Sequence, residues 1–224
     1  MNTTVALLPF KANSERVPGK NFRAFGGKPL FSWMLDTLLS VESIHKIVIN
    51  TDARILLEAN GFRGHPKVLV RDRKPDSCGD FISMNAVLAD DVANVPAKVY
   101  LMTHTTNPLL SRVTILKALE AYQTGLAAGT HDSLFTVNRV QTRFYRSDGS
   151  PVNHDPAKLL RTQDLEPWFE ENSNLYIFSG ESFRKTGARI GQKPLLFEMA
   201  KSESVDIDDQ DAWDTAEAIA KAKR

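Results

Sequence analysis

Short apolar runs alternate with helical periodicities along most of the chain. Residues 5–10 form a continuous apolar run that ends in a polar segment containing glycine and proline, the pattern of a buried parallel strand followed by a loop. Pro29 suits the first turn of a helix, and Leu30, Trp33, Met34, Leu38 and Val41 recur behind it at helical spacing. Further strands are predicted at 46–50, 67–70, 98–102 and 133–137, and helices at 53–59, 81–92 and 113–122. From 138 to 171 the rhythm fails: the stretch is polar, rich in arginine and broken by Gly149, Pro151, Pro156 and Pro167, so it reads as an insertion. Strands at 175–178 and 195–199 and an alanine-rich helix at 212–222 follow. The alternation predicts an α/β fold, a Rossmann-like doubly wound and mostly parallel sheet flanked by helices, whose ligands bind beyond the carboxyl ends of the strands.

At 224 residues the chain is expected to form one compact domain, 1–224, carrying that insertion. A hydrophobic fraction of 42% with 25% charged residues fits a globular protein and excludes disordered and membrane classes. Lys and Arg number 28 against 27 Asp and Glu, so there is no overall field to collect nucleic acid or a membrane surface, and any anion site must be local. Cys78 has no partner within the chain and no nearby His in sequence, which reads as an incidental thiol in a reducing compartment. Met1-Asn2-Thr3-Thr4 lacks a basic leader and 5–10 is too short for a signal or a span, so a cytoplasmic protein is expected.

The candidate chemistry begins in the loop after the first strand. Lys11-Ala12-Asn13-Ser14-Glu15-Arg16-Val17-Pro18-Gly19-Lys20-Asn21 sets three cations at the expected ligand rim. A triphosphate spreads its charge over many oxygens, so Lys, Arg and backbone N–H donors both bind it and stabilise the charge that builds in phosphoryl transfer. Arg16 and Lys20 are the leading candidates for that work, with a merely solvated loop as the alternative. No G-x-x-x-x-G-K-[ST] string occurs. Near the other end, Val205-Asp206-Ile207-Asp208-Asp209 brings two carboxylates into alternate positions, so that on an extended segment Asp206 and Asp208 share a face. Such a pair suits Mg²⁺, which prefers one or two carboxylates plus phosphate oxygens; the competing reading is a helix cap at Asp208 or Asp209.

Ser14 to Asn21, followed by Gly27-Lys28-Pro29-Leu30, resembles the opening signature of the sugar-acid (acylneuraminate) cytidylyltransferases, which make CMP-sialic acid, CMP-pseudaminic acid and CMP-Kdo. The resemblance continues through Asn50-Thr51-Asp52, His104-Thr105-Thr106-Asn107-Pro108-Leu109, Arg161-Thr162-Gln163-Asp164-Leu165 and Glu171-Asn172-Ser173-Asn174-Leu175-Tyr176-Ile177-Phe178, the last similar to the family's E-N-G-A-x-Y-I. It ends at the Asp-Ile-Asp pair, where the family has D-I-D-[TS]. Lys11 stands where an Arg is common, Glu15 where sialic acid enzymes have Lys, and His104 where the family has Gln.

The resemblance implies a nucleotide-diphospho-sugar transferase-like fold with a dimerisation insertion at 138–171, and transfer of CMP from CTP to the anomeric hydroxyl of an acidic 2-keto sugar, with Mg²⁺ as cofactor. It implies nucleotide contacts from Leu8, Lys11, Ala12, Asn13, Ser14, Arg16, Lys20, Asn21, Arg71 and Ser83, with Arg16, Lys20 and Asp208 catalytic and Asp206 and Asp208 on the metal. Acceptor contacts fall to His104, Thr106, Asn107, Arg161, Gln163 and Tyr176, with Arg161 serving the partner's site in a homodimer. Read without the resemblance, His104 bonds loop backbone, Tyr176 is a core aromatic and Arg161 lies on the surface. Sialic, legionaminic, pseudaminic, deaminated nonulosonic and Kdo acceptors all stay open. So do a related nucleotidyltransferase with another NTP or sugar, although its G-x-G-T-R loop is absent, and a non-catalytic sugar-nucleotide binding protein.

Overall fold

A computed structural model of the chain describes residues 3–79 and 81–223; Met1 and Asn2 of the leader reading lie outside the described residues. In chain order the elements are β1 (Thr4–Leu7), the hairpin strands β2 (Ala24–Phe25) and β3 (Lys28–Pro29), α1 (Leu30–Leu39), β4 (Ile44–Thr51), α2 (Arg54–Ala59) and β5 (Val68–Asp72). Then come α3 (Met84–Asn94), β6 (Val99–Thr103), α4 (Arg112–Ala127), β7 (Ser133–Val140), β8 (Trp168–Ser179), α5 (Gly180–Thr186), β9 (Pro194–Glu198) and α6 (Gln210–Ala222).

Seven strands form one sheet in the order β5-β4-β1-β6-β8-β7-β9. β5, β4, β1 and β6 are parallel neighbours, β8 is antiparallel to both β6 and β7, and β9 is parallel to β7. β8 therefore runs against its six companions, and the carboxyl ends of β1, β4, β6 and β7 share one edge.

Alternation along each strand covers both faces. Ala6, Ile47, Ile49, Leu101, Leu175 and Ile177 face an apolar cluster with Met34, Leu38, Ile115 and Leu119 of α1 and α4. Val5, Leu7, Val48, Tyr100, Met102, Tyr176 and Phe178 face a second cluster with Leu88 and Val92 of α3 and Phe183 of α5. A third cluster joins Val17 of the first loop, Phe25 of the hairpin, Ile207 and Trp213 of α6. That cluster ties the cationic loop to the C-terminal acidic segment.

The predicted elements appear with shifted ends. α3 starts at Met84 rather than 81 because Ser83 caps it, its side chain accepting from the Asn85 amide. The strand predicted at 175–178 is twelve residues long and reaches back to Trp168. Val140 pairs with Trp168 and Asn138 with Glu170, so the first and last residues of the 138–171 stretch extend the β7–β8 pair. Its irregular part is 141–167, at the edge that holds the carboxyl end of β1. The seven-residue α5 and the β2–β3 hairpin were not anticipated.

Candidate active site

Beyond the carboxyl ends of β1, β4 and β6 lies a cavity of about 240 Å³, lined among others by Phe10, Lys11, Lys20, Asn21, Arg73, His104 and Thr106. Its first wall is the loop after β1. Gly19 takes φ of +62°, which lets its carbonyl accept from the Phe22 and Arg23 amides at 3.0 and 3.1 Å and closes the turn that carries Lys20 and Asn21. Buried Asn21 donates from Nδ2 to the Lys11 carbonyl at 2.8 Å and accepts from Thr105 Oγ1 at 2.6 Å. It thereby sews this loop to the loop after β6.

The second wall comes from the far end of the chain. The Ile207 amide donates to the Thr106 carbonyl at 2.9 Å, and Lys20 Nζ donates to the Ile207 carbonyl at 2.7 Å. Asp206 and Asp208 thus flank an anchored residue. Asp208 accepts ion pairs from Arg16 at 3.0 Å and Lys20 at 3.5 Å. Asp209, and not Asp208, caps α6 through the Ala212 amide at 2.8 Å, which leaves Asp208 to the site. Lys20 is only 11% exposed along its side chain whereas Arg16 is 65% exposed, so the buried lysine carries the stronger field. Burial, with the Asp208 charge adding to it against the Thr106 bond, raises the Asp206 carboxyl from 3.8 to about 6.

Among the described residues no three His, Cys, Asp or Glu side chains come together as a metal cluster. Two carboxylates nevertheless come together: Asp206 Oδ1 is buried and makes no hydrogen bond among the described residues, and Asp208 lies beside it. That donor set fits Mg²⁺, which takes its remaining ligands from phosphate and water.

His104 is half-buried at the cavity. Burial, reinforced by the Arg189 and Lys20 charges, drives its imidazole from 6.5 down to about 3. It is a neutral hydrogen-bonding group in the working pH range and too weakly basic to serve as a general base.

Several of the expected residues lie away from the cavity lining. The Leu8 side chain is buried in the α1–α4 cluster and its amide donates to the Val48 carbonyl at 2.8 Å, so it does not line the cavity. The Ala12 amide is committed to Asp52 Oδ1 at 2.7 Å. Asn13 is exposed and Ser14 half-buried on the outer arm of the loop. Arg71 turns away from the cavity into ion pairs with Asp90 and Asp91 at 2.8 and 2.7 Å. Arg73, two residues on and past the end of β5, lines the cavity instead. The Ser83 hydroxyl is spent on its helix cap, while Ser77 borders the cavity.

On the acceptor side, Thr106 borders the cavity but the Asn107 side chain is wholly buried. Tyr176 is a core residue as its strand parity requires. Its hydroxyl donates to Glu171 and accepts from Arg189 Nη2 at 2.9 Å, and burial pushes the phenol up to about 12. The Arg189 guanidinium stacks 3.7 Å from the Tyr176 ring centre, a site cation that sequence reasoning did not single out. Arg161 and Gln163 are exposed on a short 3₁₀ turn of the insertion, outside the cavity lining, with Arg161 paired to Asp164 at 2.7 Å.

Comparison with known proteins gives this arrangement a context. A family model described as cytidylyltransferase matches residues 5–222. The chain is 25% identical over 219 residues to an N-acylneuraminate cytidylyltransferase of Streptococcus agalactiae serotype V, the match covering 92% of this chain and 51% of that protein. It is 27% identical over 230 residues to a CMP-N,N'-diacetyllegionaminic acid synthase of Legionella pneumophila, covering 96% and 95%. Thus the chain spans about half the length of the streptococcal relative and nearly all of the Legionella one. A solved structure of CMP:2-keto-3-deoxy-manno-octonic acid synthetase complexed with CTP superposes with a TM-score of 0.70 at 14% identity, over 99% of this chain and 100% of that one, and shares the fold.

Proposed function

Because the chain belongs to the cytidylyltransferase family, we propose that it transfers CMP from CTP to the anomeric hydroxyl of an acidic 2-keto-3-deoxy sugar. The observation that carries this reading is the meeting of Lys20 with Asp208 at 3.5 Å beside an orphaned Asp206 oxygen, which sets cations and carboxylates around one cavity. The named relatives act on sialic and legionaminic acids, which supports an acceptor of that class.

In this reaction the sugar oxygen attacks the α-phosphorus in line. A P–O bond forms there as the hydroxyl gives up its proton to solvent, the bond from the α-phosphorus to the bridging oxygen breaks, and pyrophosphate carries away the electron pair. Lys20 and Arg16 meet the charge that develops on the phosphoryl oxygens. Arg73, Lys11 and Asn21 hold the nucleotide in the cavity, and neutral His104 gives or receives a hydrogen bond at the acceptor. Asp206 and Asp208 would hold Mg²⁺, which supplies charge neutralisation for the triphosphate. A cytoplasmic location is part of this reading, supported by the one unpaired thiol of Cys78.

Arg161 and Gln163 lie on an insertion that exposes Tyr145, Leu159, Leu160 and Phe169. Exposed apolar side chains along this segment support a homodimer in which the insertion reaches the partner's cavity. Pyrophosphate release with each of the four NTPs and Mg²⁺, run against sialic, legionaminic, pseudaminic, deaminated nonulosonic and Kdo acids, tests the activity. Turnover restricted to CTP with one or more acids is expected. Turnover with another NTP, or none with any acid despite CTP binding, overturns it.

A further inference from the structure

Arg73 is held in the cavity by a polar chain that starts in the core behind it. Its Nε donates to Asn50 Oδ1 at 3.0 Å, and its Nη2 donates to the Asn50 and Phe10 carbonyls at 2.9 and 3.2 Å. Nη1 makes no hydrogen bond among the described residues, so it remains a donor available to the cavity that Arg73 lines. The amide of Asn50 is buried and could present either end to Arg73. Only the oxygen end works, since a guanidinium can donate and cannot accept.

Asp91 of α3 settles that choice. It is fully buried, and its Oδ1 accepts from Asn50 Nδ2 at 2.8 Å and from Arg71 Nη1 at 2.7 Å. A carboxylate accepts only, so Nδ2 of Asn50 must face Asp91 and Oδ1 must face Arg73. Asp91 Oδ2 has no hydrogen-bond partner among the described residues, and its neighbours on α3 are Leu88 and Val92 of the apolar cluster. An apolar residue would pack there without that desolvation penalty, so packing does not account for the carboxylate. Charge is balanced nearby: Asp90 takes Arg71 and Lys74, at 2.8 and 2.5 Å.

We propose that Asp91 is a positioning residue which, by orienting the Asn50 amide, holds Arg73 for an acceptor oxygen of the bound nucleotide. This role rests on the CTP-binding reading above. Burial keeps the Asp91 carboxyl at about 6, so it is ionised at neutral pH and the chain is intact there.

The test is a double-mutant cycle on CTP affinity, measured calorimetrically with Mg²⁺ for the whole chain. Arg73→Ala is expected to weaken CTP binding ~30-fold and Asp91→Ala ~10-fold, with the double variant no weaker than Arg73→Ala, because a relay lost at its end cannot be lost again. Losses that multiply, or an unchanged affinity in Asp91→Ala, overturn the role, since a helix merely loosened in its packing would weaken binding with or without Arg73. Should Asp91→Ala not fold, Asp91→Asn keeps at near-equal volume an oxygen that accepts from the Asn50 amide and from Arg71, so the Asn50 oxygen still faces Arg73. The affinity of Asp91→Asn is expected within ~3-fold of wild type, and a loss as large as that of Arg73→Ala overturns the proposal. A wild-type chain that binds no CTP overturns the activity proposed above and this role with it, whereas multiplying losses on normal wild-type binding remove the positioning role alone.

Discussion

Lys20 Nζ stands 3.5 Å from Asp208 Oδ1 although the two residues are 188 apart in the chain. The contact is enforced from beneath, because Val17, Phe25, Ile207 and Trp213 pack in one apolar cluster that fastens the first loop to the C-terminal segment. Phe25 and Trp213 meet edge to face with centroids 5.4 Å apart, and Arg23 lies 4.3 Å over Trp213. Phosphoryl transfer depends chiefly on positioning and charge stabilisation, so a cradle assembled before substrate arrives favours it.

The buried acid of that cradle trades stability for function. Asp206 titrates at about 6 in the folded chain against 3.8 unfolded. A folded value above the unfolded one means that the native state gains from protonation, fully below pH 3.8, and loses that gain as pH rises through about 6. The shift caps the loss at ~3 kcal/mol, and partial exposure reduces it to about 1 kcal/mol. Asp206→Asn is therefore expected to melt higher than wild type at pH 7.5, with the difference vanishing near pH 4, and to lose Mg²⁺-dependent turnover. Retained turnover contradicts the metal role, and equal melting at pH 7.5 contradicts the burial that raises the Asp206 carboxyl.

His104 offers a different kind of check. With its imidazole near 3 it contributes no limb to a rate profile between pH 5 and 8. A neutral amide can make the same hydrogen bonds, so His104→Gln is expected to keep kcat within ~5-fold, with any change falling on acceptor KM and the profile's shape preserved. Loss of a limb near pH 6.5 in the variant would show that the histidine titrates during turnover.

How much of this was legible in the chain depends on how local each signal is. The apolar run of β1, the cations that follow it and the Asp206–Asp208 spacing are contiguous, and each keeps its predicted place. Arg71 and Arg73 were exchanged because, two residues apart, they share strand parity and only the strand end tells them apart: Arg71 is still in β5 and points to Asp90 and Asp91 on α3, whereas Arg73 lies past the strand end and folds back on Asn50. The adjacent acids at 90 and 91 within a predicted helix were a readable hint of that partner. Asn107 and Leu8 looked like site residues by position in a motif, but burial depends on packing that no local string reports. β8 was foreseen only in its apolar half, since Trp168 to Glu171 is held by pairing with β7 rather than by its own pattern.

Ser173 is a residue whose backbone disagrees with its side chain. It sits within β8 at φ +56°, the left-handed region, opposite the register shift between Phe135 and Val137. The resembling family motif has glycine at that place. A serine there costs ~1–2 kcal/mol of backbone strain, which outweighs ~0.5–1 kcal/mol from a hydroxyl bond. Ser173→Gly is expected to stabilise the chain by about 0.5 kcal/mol in denaturant titration, with no change in slope. Destabilisation beyond 0 would mean that the hydroxyl's contact near Tyr176 dominates.

The insertion poses the question of which cavity Arg161 serves. Within one chain its guanidinium is 72% exposed along the side chain and, among the described residues, paired to Asp164, outside the cavity that Lys20 lines. If it acts in the partner's site, a homodimer has two composite sites, each taking Lys20 from one chain and Arg161 from the other. Lys20→Ala and Arg161→Ala should each lose ~100-fold in kcat as homodimers, the expected loss of a donor that meets the transition state. In a randomly exchanged equimolar mixture half of the dimers are mixed, and each mixed dimer has one site with both residues intact. Activity should therefore recover to ~25% of wild type, with no recovery if exchange is blocked. A mixture that stays at the level of its parents assigns Arg161 to its own chain's cavity or to no cavity, and a Leu159→Glu, Leu160→Glu chain that remains dimeric in equilibrium sedimentation moves the interface away from the insertion, where these leucines are 81% and 54% exposed.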